Sequence, residues 1–247
     1  MTTRLLGIST LVLMTLGAAS LSFAQAVPKG NYVFSEGGPG GATLASLTFA
    51  DDGSATGTAA VQQGVNISMF TVQGAYTTNA DNSKSLALNG TSLDALDADG
   101  NPLTFSETVL LIPRASTSFA ALRTDPGQYA GELLPAVAAL APGSYQIGGK
   151  PNAPADTSVE LVSVDTAGSI SGQKVTNTFG MIVTKALSGS AVATPTGFQL
   201  LTVNVSYLDA DGNTQTAMET YLALPTQKDT RMLQTGRGTP GVLTLSN

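Results

Sequence analysis

No cysteine, histidine or tryptophan occurs in the 247-residue chain, and charged residues make up only 11% of it. Without cysteine there is no disulfide framework, no thiolate nucleophile and no lipid-modified cysteine at an export cleavage site. Without histidine there is no general base whose ordinary pKa lies near neutrality, and no imidazole or thiolate to hold zinc. The remaining routes to catalysis fare no better: no Gly-x-Ser-x-Gly elbow occurs, and no Walker-type or dinucleotide-binding glycine pattern sits between a strand and a helix. The sequence therefore reads as non-enzymatic and without a cofactor. Basic residues are scarce and never form a run, 11 Lys and Arg against 17 Asp and Glu, so the charge that drives binding to nucleic acid or anionic lipid is missing.

What is present begins with an export signal. Arg4 precedes an apolar run over 5–16, and small residues end in Ala24-Gln25-Ala26, the order of a secretory signal peptide. Cleavage after Ala26 is expected, leaving a periplasmic or extracellular chain. The apolar run is too short for a comfortable helical span, and the few aromatics argue against a lipid-facing barrel with aromatic girdles.

The remainder is one unit used twice. Gly30-Asn31-Tyr32 returns as Gly143-Ser144-Tyr145, and Leu96 to Asn101 returns unchanged as Leu208 to Asn213. Eleven of the eighteen residues over 96–113 are identical in 208–225 without a gap. Matching positions lie 111 to 115 residues apart, the drift that small loop insertions produce. Within each unit, short runs of Val, Leu, Ile, Phe, Tyr and Thr alternate with Gly, Asn and Asp, the pattern of successive hairpins.

This predicts strands near 31–36, 43–50, 54–63, 65–77, 84–90, 92–97, 102–112 and 117–124, with turns at Asp52-Gly53, Asn79 to Asn82, Asn89-Gly90 and Asp99-Gly100. The second unit repeats the scheme near 144–148, 157–164, 169–175, 178–187, 190–194, 197–208, 214–224 and 230–235. The fold class is all-β, two tandem antiparallel meanders. Each closes as an eight-stranded up-and-down barrel, or packs as a β-sandwich, which the strand count equally allows. The domains are a signal peptide (1–26), a first unit (27–125), a linker (126–142) with room for a short helix over 131–140, and a second unit (143–247).

The Gly-x-Tyr opening, together with Arg123 in the last predicted strand of the first unit, resembles the calycins, small β-barrels of lipocalin and avidin type. Those barrels open on Gly-x-Trp and cover that ring with an arginine from the last strand. The resemblance implies that Arg123 stacks on Tyr32 and closes one end of the barrel, a contact worth about 0.5–2 kcal/mol. Tyrosine stands where the family has tryptophan, and the second unit has Gln234 at the arginine position, with Arg231 nearby. The chain is also similar to exported bacterial β-repeat proteins of no assigned activity.

Glu107 and Glu219 are the most informative side chains. Period-2 alternation places Glu107 on the same face as Leu103, Phe105, Val109 and Leu111, and Glu219 between Ala217 and Tyr221. A carboxylate turned into a barrel must be paired, hydrated or protonated. One reading makes each Glu the polar anchor of a small apolar ligand, with Tyr32, Arg123 and Tyr145 completing the sites. The other makes it an outward residue, or an inward one satisfied by Arg123 or tyrosine hydroxyls. Asp97, Asp99, Asp209 and Asp211 open like calcium loops, Asp-x-Asp-Gly-Asn, but the bidentate Glu at the twelfth position is missing and a hairpin turn accounts for them. The function expected is an exported binding or carrier protein with a small apolar cavity in each unit; the alternative is a structural or cell-surface interaction protein with filled cores.

Overall fold

One kind of hairpin turn organises both halves of the chain. At Asp97–Asn101 the Asp97 amide donates to the Asn101 carbonyl, the Gly100 amide donates to the Asp97 carbonyl, and Gly100 takes a φ of 82°. The same geometry recurs at 50–54, 165–169, 194–198 and 209–213, and at 79–83 Asn82 takes the left-handed position with a φ of 66°. This is a type I turn closed by a left-handed residue, a standard three-residue hairpin loop. The leading aspartate reinforces it: Asp97 Oδ1 accepts from the amides of Asp99 and Asn101, and Asp209 Oδ1 from those of Asp211 and Asn213. These bonds hold the Asp97 carboxyl below its ordinary pKa, as they do for Asp209 together with the Gln215 side chain. Both carboxylates thus serve their own turns. Among the described residues no group of three or more acids is placed to hold a metal ion.

The computed structural model describes residues 27–115, 117–124, 129–148, 156–178, 180–209, 211–236 and 241–247; the expected signal peptide, 1–26, lies outside them. The turns link β1 (Gly30–Gly38), β2 (Gly41–Phe49), β3 (Ser54–Gln63), β4 (Asn66–Thr78), β5 (Lys84–Leu96), β6 (Pro102–Pro113), β7 (Phe119–Arg123) and β8 (Ala130–Pro135). Each strand pairs antiparallel with the next, and β8 returns to β1 with Tyr32 opposite Pro135, closing a barrel. The second barrel runs through β9 (Gly143–Gly148), β10 (Asp156–Val164), β11 (Ser169–Thr178), β12 (Met181–Ala193), β13 (Gln199–Leu208), β14 (Thr214–Pro225), β15 (Thr230–Gln234) and β16 (Val242–Ser246), with β16 closing on β9. The fold is therefore two tandem closed eight-stranded meanders, not sandwiches. Among the described residues no helix is long and apolar enough to cross a membrane.

Three expectations are corrected. Residues 84–90 and 92–97 form the single strand β5, and most of 178–194 is the single strand β12. Asn89-Gly90 is no turn because Gly90 lies under the ring of Phe105; a Cβ there would stand 2.0 Å from the ring. Residues 131–140 form no helix. Ala130–Pro135 is instead the eighth strand of the first barrel, so 117–124 is its seventh, and β16 likewise follows the strand near 230–235. Gly131 can take this place because its bare Cα passes the Ser35 carbonyl, where a Cβ would stand at 1.8 Å. Substituting Gly90→Ala is expected to push Phe105 off its seat and cost about 1–3 kcal/mol, measured by denaturant unfolding; a neutral result would refute the packing role given to Gly90.

Alternation divides each strand between lumen and exterior. The lumen of the first barrel is filled through its lower half by Tyr32, Phe34, Leu47, Phe49, Leu86, Leu111, Phe119 and Leu133. At the end where β1 begins, Tyr32 meets Phe49 edge-on at 5.6 Å between ring centres, and Phe119 and Tyr76 complete an aromatic plug.

The exteriors of the two barrels meet in a third cluster, Val33, Ala42, Leu44 and Ala60 of the first barrel against Phe198, Leu224 and Leu233 of the second. Gln62 Nε2 donates to the Gln234 carbonyl at 3.0 Å, Thr58 Oγ1 to the Thr196 carbonyl at 2.8 Å, and Arg231 crosses to Glu132. Gln62 and Gln234 lie at corresponding barrel ends, and Ala136 bridges Thr226 at the opposite ends. The barrels therefore stand side by side with equivalent ends on the same side.

Candidate functional site

The upper lumen of the first barrel is organised by charge. Glu36 is on the inward parity of β1 after Tyr32 and Phe34, Glu107 is inward on β6, and Arg123 is inward at the end of β7. The guanidinium of Arg123 lies between the carboxylates, 2.7 Å from Glu36 and in direct contact with Glu107. Thr43 Oγ1 donates to Glu36 at 3.2 Å. Two acids on one base leave this layer with one net negative charge when all three are ionised. The Arg123 side chain is 17% exposed against 4% for Glu107 and 1% for Glu36, so the guanidinium is what the layer presents upward.

Above it opens a cavity of about 440 Å³ lined chiefly by Val61, Gln63, Phe70, Leu103, Phe105 and Tyr129, with Glu107 and Arg123 at its base. Phe70 and Phe105 meet edge-on at 5.1 Å. Tyr129 spans the rim: its ring lies 4.5 Å from the Arg123 guanidinium, and its hydroxyl lies so close to the β1–β2 turn that a Cβ on Gly40 would stand 2.8 Å from it. Beside the cavity the β5–β6 register shifts between Thr91 and Leu96, and the Asp94 carboxylate takes up the Met69 amide. The irregularity sits at the rim, where regular pairing has run out.

These positions revise the expected site. Glu107 and Arg123 come together as one of the readings foresaw. Tyr32 does not join them: it lies in the aromatic plug at the other end, and burial raises its pKa. Arg123 stacks on Tyr129, not on Tyr32, because it is inward at the open end of β7. Tyr145 also lies at the closed end of its barrel, donating its hydroxyl to the Ala141 carbonyl. Glu36 and Tyr129 went unnoticed in the sequence, although Glu36 shares the parity of Tyr32 and Phe34.

The second barrel keeps the layer with different members. Glu219 receives the Tyr221 hydroxyl and lies 3.0 Å from Lys174 Nζ, which also reaches Glu160 at 2.7 Å. The cross-strand pair Glu160 and Lys174 occupies the repeat positions of Ala45 and Ala59, while Gln234 stands at that of Arg123. The duplicated Glu is thus held by a base from a different strand in each copy. Arg231 is no substitute for Arg123, since it points outward to Glu132 and Asp229.

Burial opposes the charge on Lys174, but Glu160 and Glu219 outweigh it and the net pKa is raised. A base with a raised folded pKa stabilises fully below its unfolded value of 10.5, and that stability is lost as pH rises through the folded value. Unfolding followed from pH 9 upward is expected to show an alkaline loss that Lys174→Met removes; an unchanged slope in the variant would contradict the assignment.

Comparison of the chain with protein-family models, with curated proteins and with solved structures finds no match.

Proposed function

We propose that the chain is an exported, non-enzymatic binding protein that carries a small, largely apolar molecule in the mouth of its first barrel. The observation that carries this reading is the 440 Å³ cavity, walled chiefly by Val61, Phe70, Leu103, Phe105 and Tyr129 with Gln63 among them, and with the charged pair Glu107 and Arg123 at its base. That volume is within the range of small-ligand sites, and a few fixed polar groups in an apolar pocket are what such sites use for orientation. The second barrel, crossed at the same level by Lys174 and two glutamates, serves as a partner domain in this proposal. The closed meander also supports the calycin resemblance at the level of architecture, with the Arg123 contact differing as described.

The base of the cavity sets the ligand's polarity. Arg123 faces it and donates, yet its charge is already met by Glu36 and Glu107. An anionic ligand would meet those carboxylates, whereas an uncharged carbonyl or hydroxyl takes the hydrogen bond without that repulsion. The test is native mass spectrometry of the mature chain purified from its own host, beside a Val61→Phe variant that fills the cavity. The expected result is a bound small molecule in the wild type and a bare polypeptide in the variant. A bare wild type that also takes up no 2-acetylnaphthalene in solution would leave the structural alternative in its place.

A further inference from the structure

The two barrels are copies of one unit, yet they meet through different faces. The first contributes the outside of β1 to β3, and the second the outside of β14 and β15 with Phe198 and, on β16, Val242. Such a contact is heterologous: neither copy uses on its partner the patch it offers. Each therefore retains, unused, the face that its sibling has buried. The unused face of the second barrel is the outside of β10 and β11, and that of the first is the outside of β6 and β7. In an eight-stranded ring β6 lies opposite β2, and β14 opposite β10, so the two free faces point away from the existing interface on opposite sides of the molecule.

The residues on these faces match the buried ones. Strand register places Val159 at the position of Leu44 and Val175 at that of Ala60. It places Ile112 at the position of Leu224 and Leu122 at that of Leu233. Leu44, Ala60, Leu224 and Leu233 are at most 3% exposed between the barrels, whereas Val159, Val175, Ile112 and Leu122 are 37–47% exposed. Outward strand positions facing water ordinarily carry polar residues. At these four positions the outward residues that meet water are apolar where the repeat would make a contact, while Gln146 stands at the position of Val33.

We infer that these faces bind a second copy of this chain head to tail, β10–β11 of one molecule against β6–β7 of the next, reproducing between molecules the contact made within each. Since neither face is consumed by pairing with itself, the association continues to a ring or an open filament. The intermolecular contact is weaker than the internal one. Ser83 stands at the position of Phe198 and Ala120 at that of Arg231, and the internal contact has the high effective concentration of a short tether. Association is expected to set in at about 10–100 μM.

The test uses the mature chain and two variants, Val159→Asp/Val175→Asp and Ile112→Asp/Leu122→Asp, each blocking one face at solvent-exposed positions. Circular dichroism confirms their folding, and sedimentation velocity measures their size. The wild type is expected to grow beyond a dimer with concentration, each variant alone to remain a monomer, and their equimolar mixture to stop at a one-to-one dimer through the two intact faces. A wild type still monomeric at about 1 mM, or a single-face variant that dimerises with itself, would overturn the inference. Neither result bears on the cavity.

Discussion

Replacing Arg123 by methionine is expected to cost about 3–5 kcal/mol of stability, and most of that loss is expected to return when Glu36 and Glu107 are also made glutamine. The single substitution leaves two buried carboxylates without the base between them, the situation in which breaking an internal ion pair is most damaging. The triple substitution removes the charges together, and internal charge clusters replaced as a whole by neutral groups often lose little. Acid should act like the second pair of substitutions. A buried carboxylate deprived of the Arg123 charge resists ionisation more strongly, so the Arg123→Met protein should regain stability as pH falls from 7 towards 5. Urea unfolding of the three proteins at two pH values provides the measurement. A single variant that loses under 1 kcal/mol would show that the layer holds the barrel less tightly than its burial implies.

That layer was only half legible in the sequence, for a definable reason. Along β6, alternation turns Glu107 inward because Phe105, Val109 and Leu111 share its parity. Along β10 the same reasoning fails: Val159 and Leu161 face outward, Glu160 and Val162 inward, and both parities contain apolar residues. Glu160 then has no polar face opposite it by which its own face could be recognised as the inner one. Tyr129 and β8 were hidden by composition, since the Pro- and Ala-rich stretch around them resembles a linker. Ala130–Pro135 is held as a strand by β7 on one side and, through closure of the sheet, by β1 about a hundred residues earlier on the other, a pairing no local pattern announces.

Turns, by contrast, were readable wherever a local interaction determines them. The Asp–Gly hairpins at Asp99-Gly100 and Asp52-Gly53 need only their own hydrogen bonds and one left-handed residue. Asn89-Gly90 has the same letters and a different cause. Its glycine answers to an aromatic ring from the neighbouring strand, a constraint no local pattern contains.

The last consequence concerns how the two halves unfold. Val33, Leu44, Leu224, Leu233 and Phe198 are as thoroughly buried as the residues in either lumen. Strands that are apolar on both parities, such as β2 with Leu44 outside and Leu47 inside, are typical of sheets covered on both faces. An interface of that kind behaves as core, so residues 27–247 should melt in one calorimetric transition instead of one per barrel. Phe198→Ala removes the largest side chain of the junction without touching either lumen. It should cost about 3–5 kcal/mol, and Glu132→Ala, which takes away the partner of Arg231 across the junction, should loosen the same contact. In the double variant the single transition should separate into two. Two resolved transitions in the unaltered chain would mean that the barrels are neighbours only, and that the contact proposed to repeat between molecules stabilises little even within one.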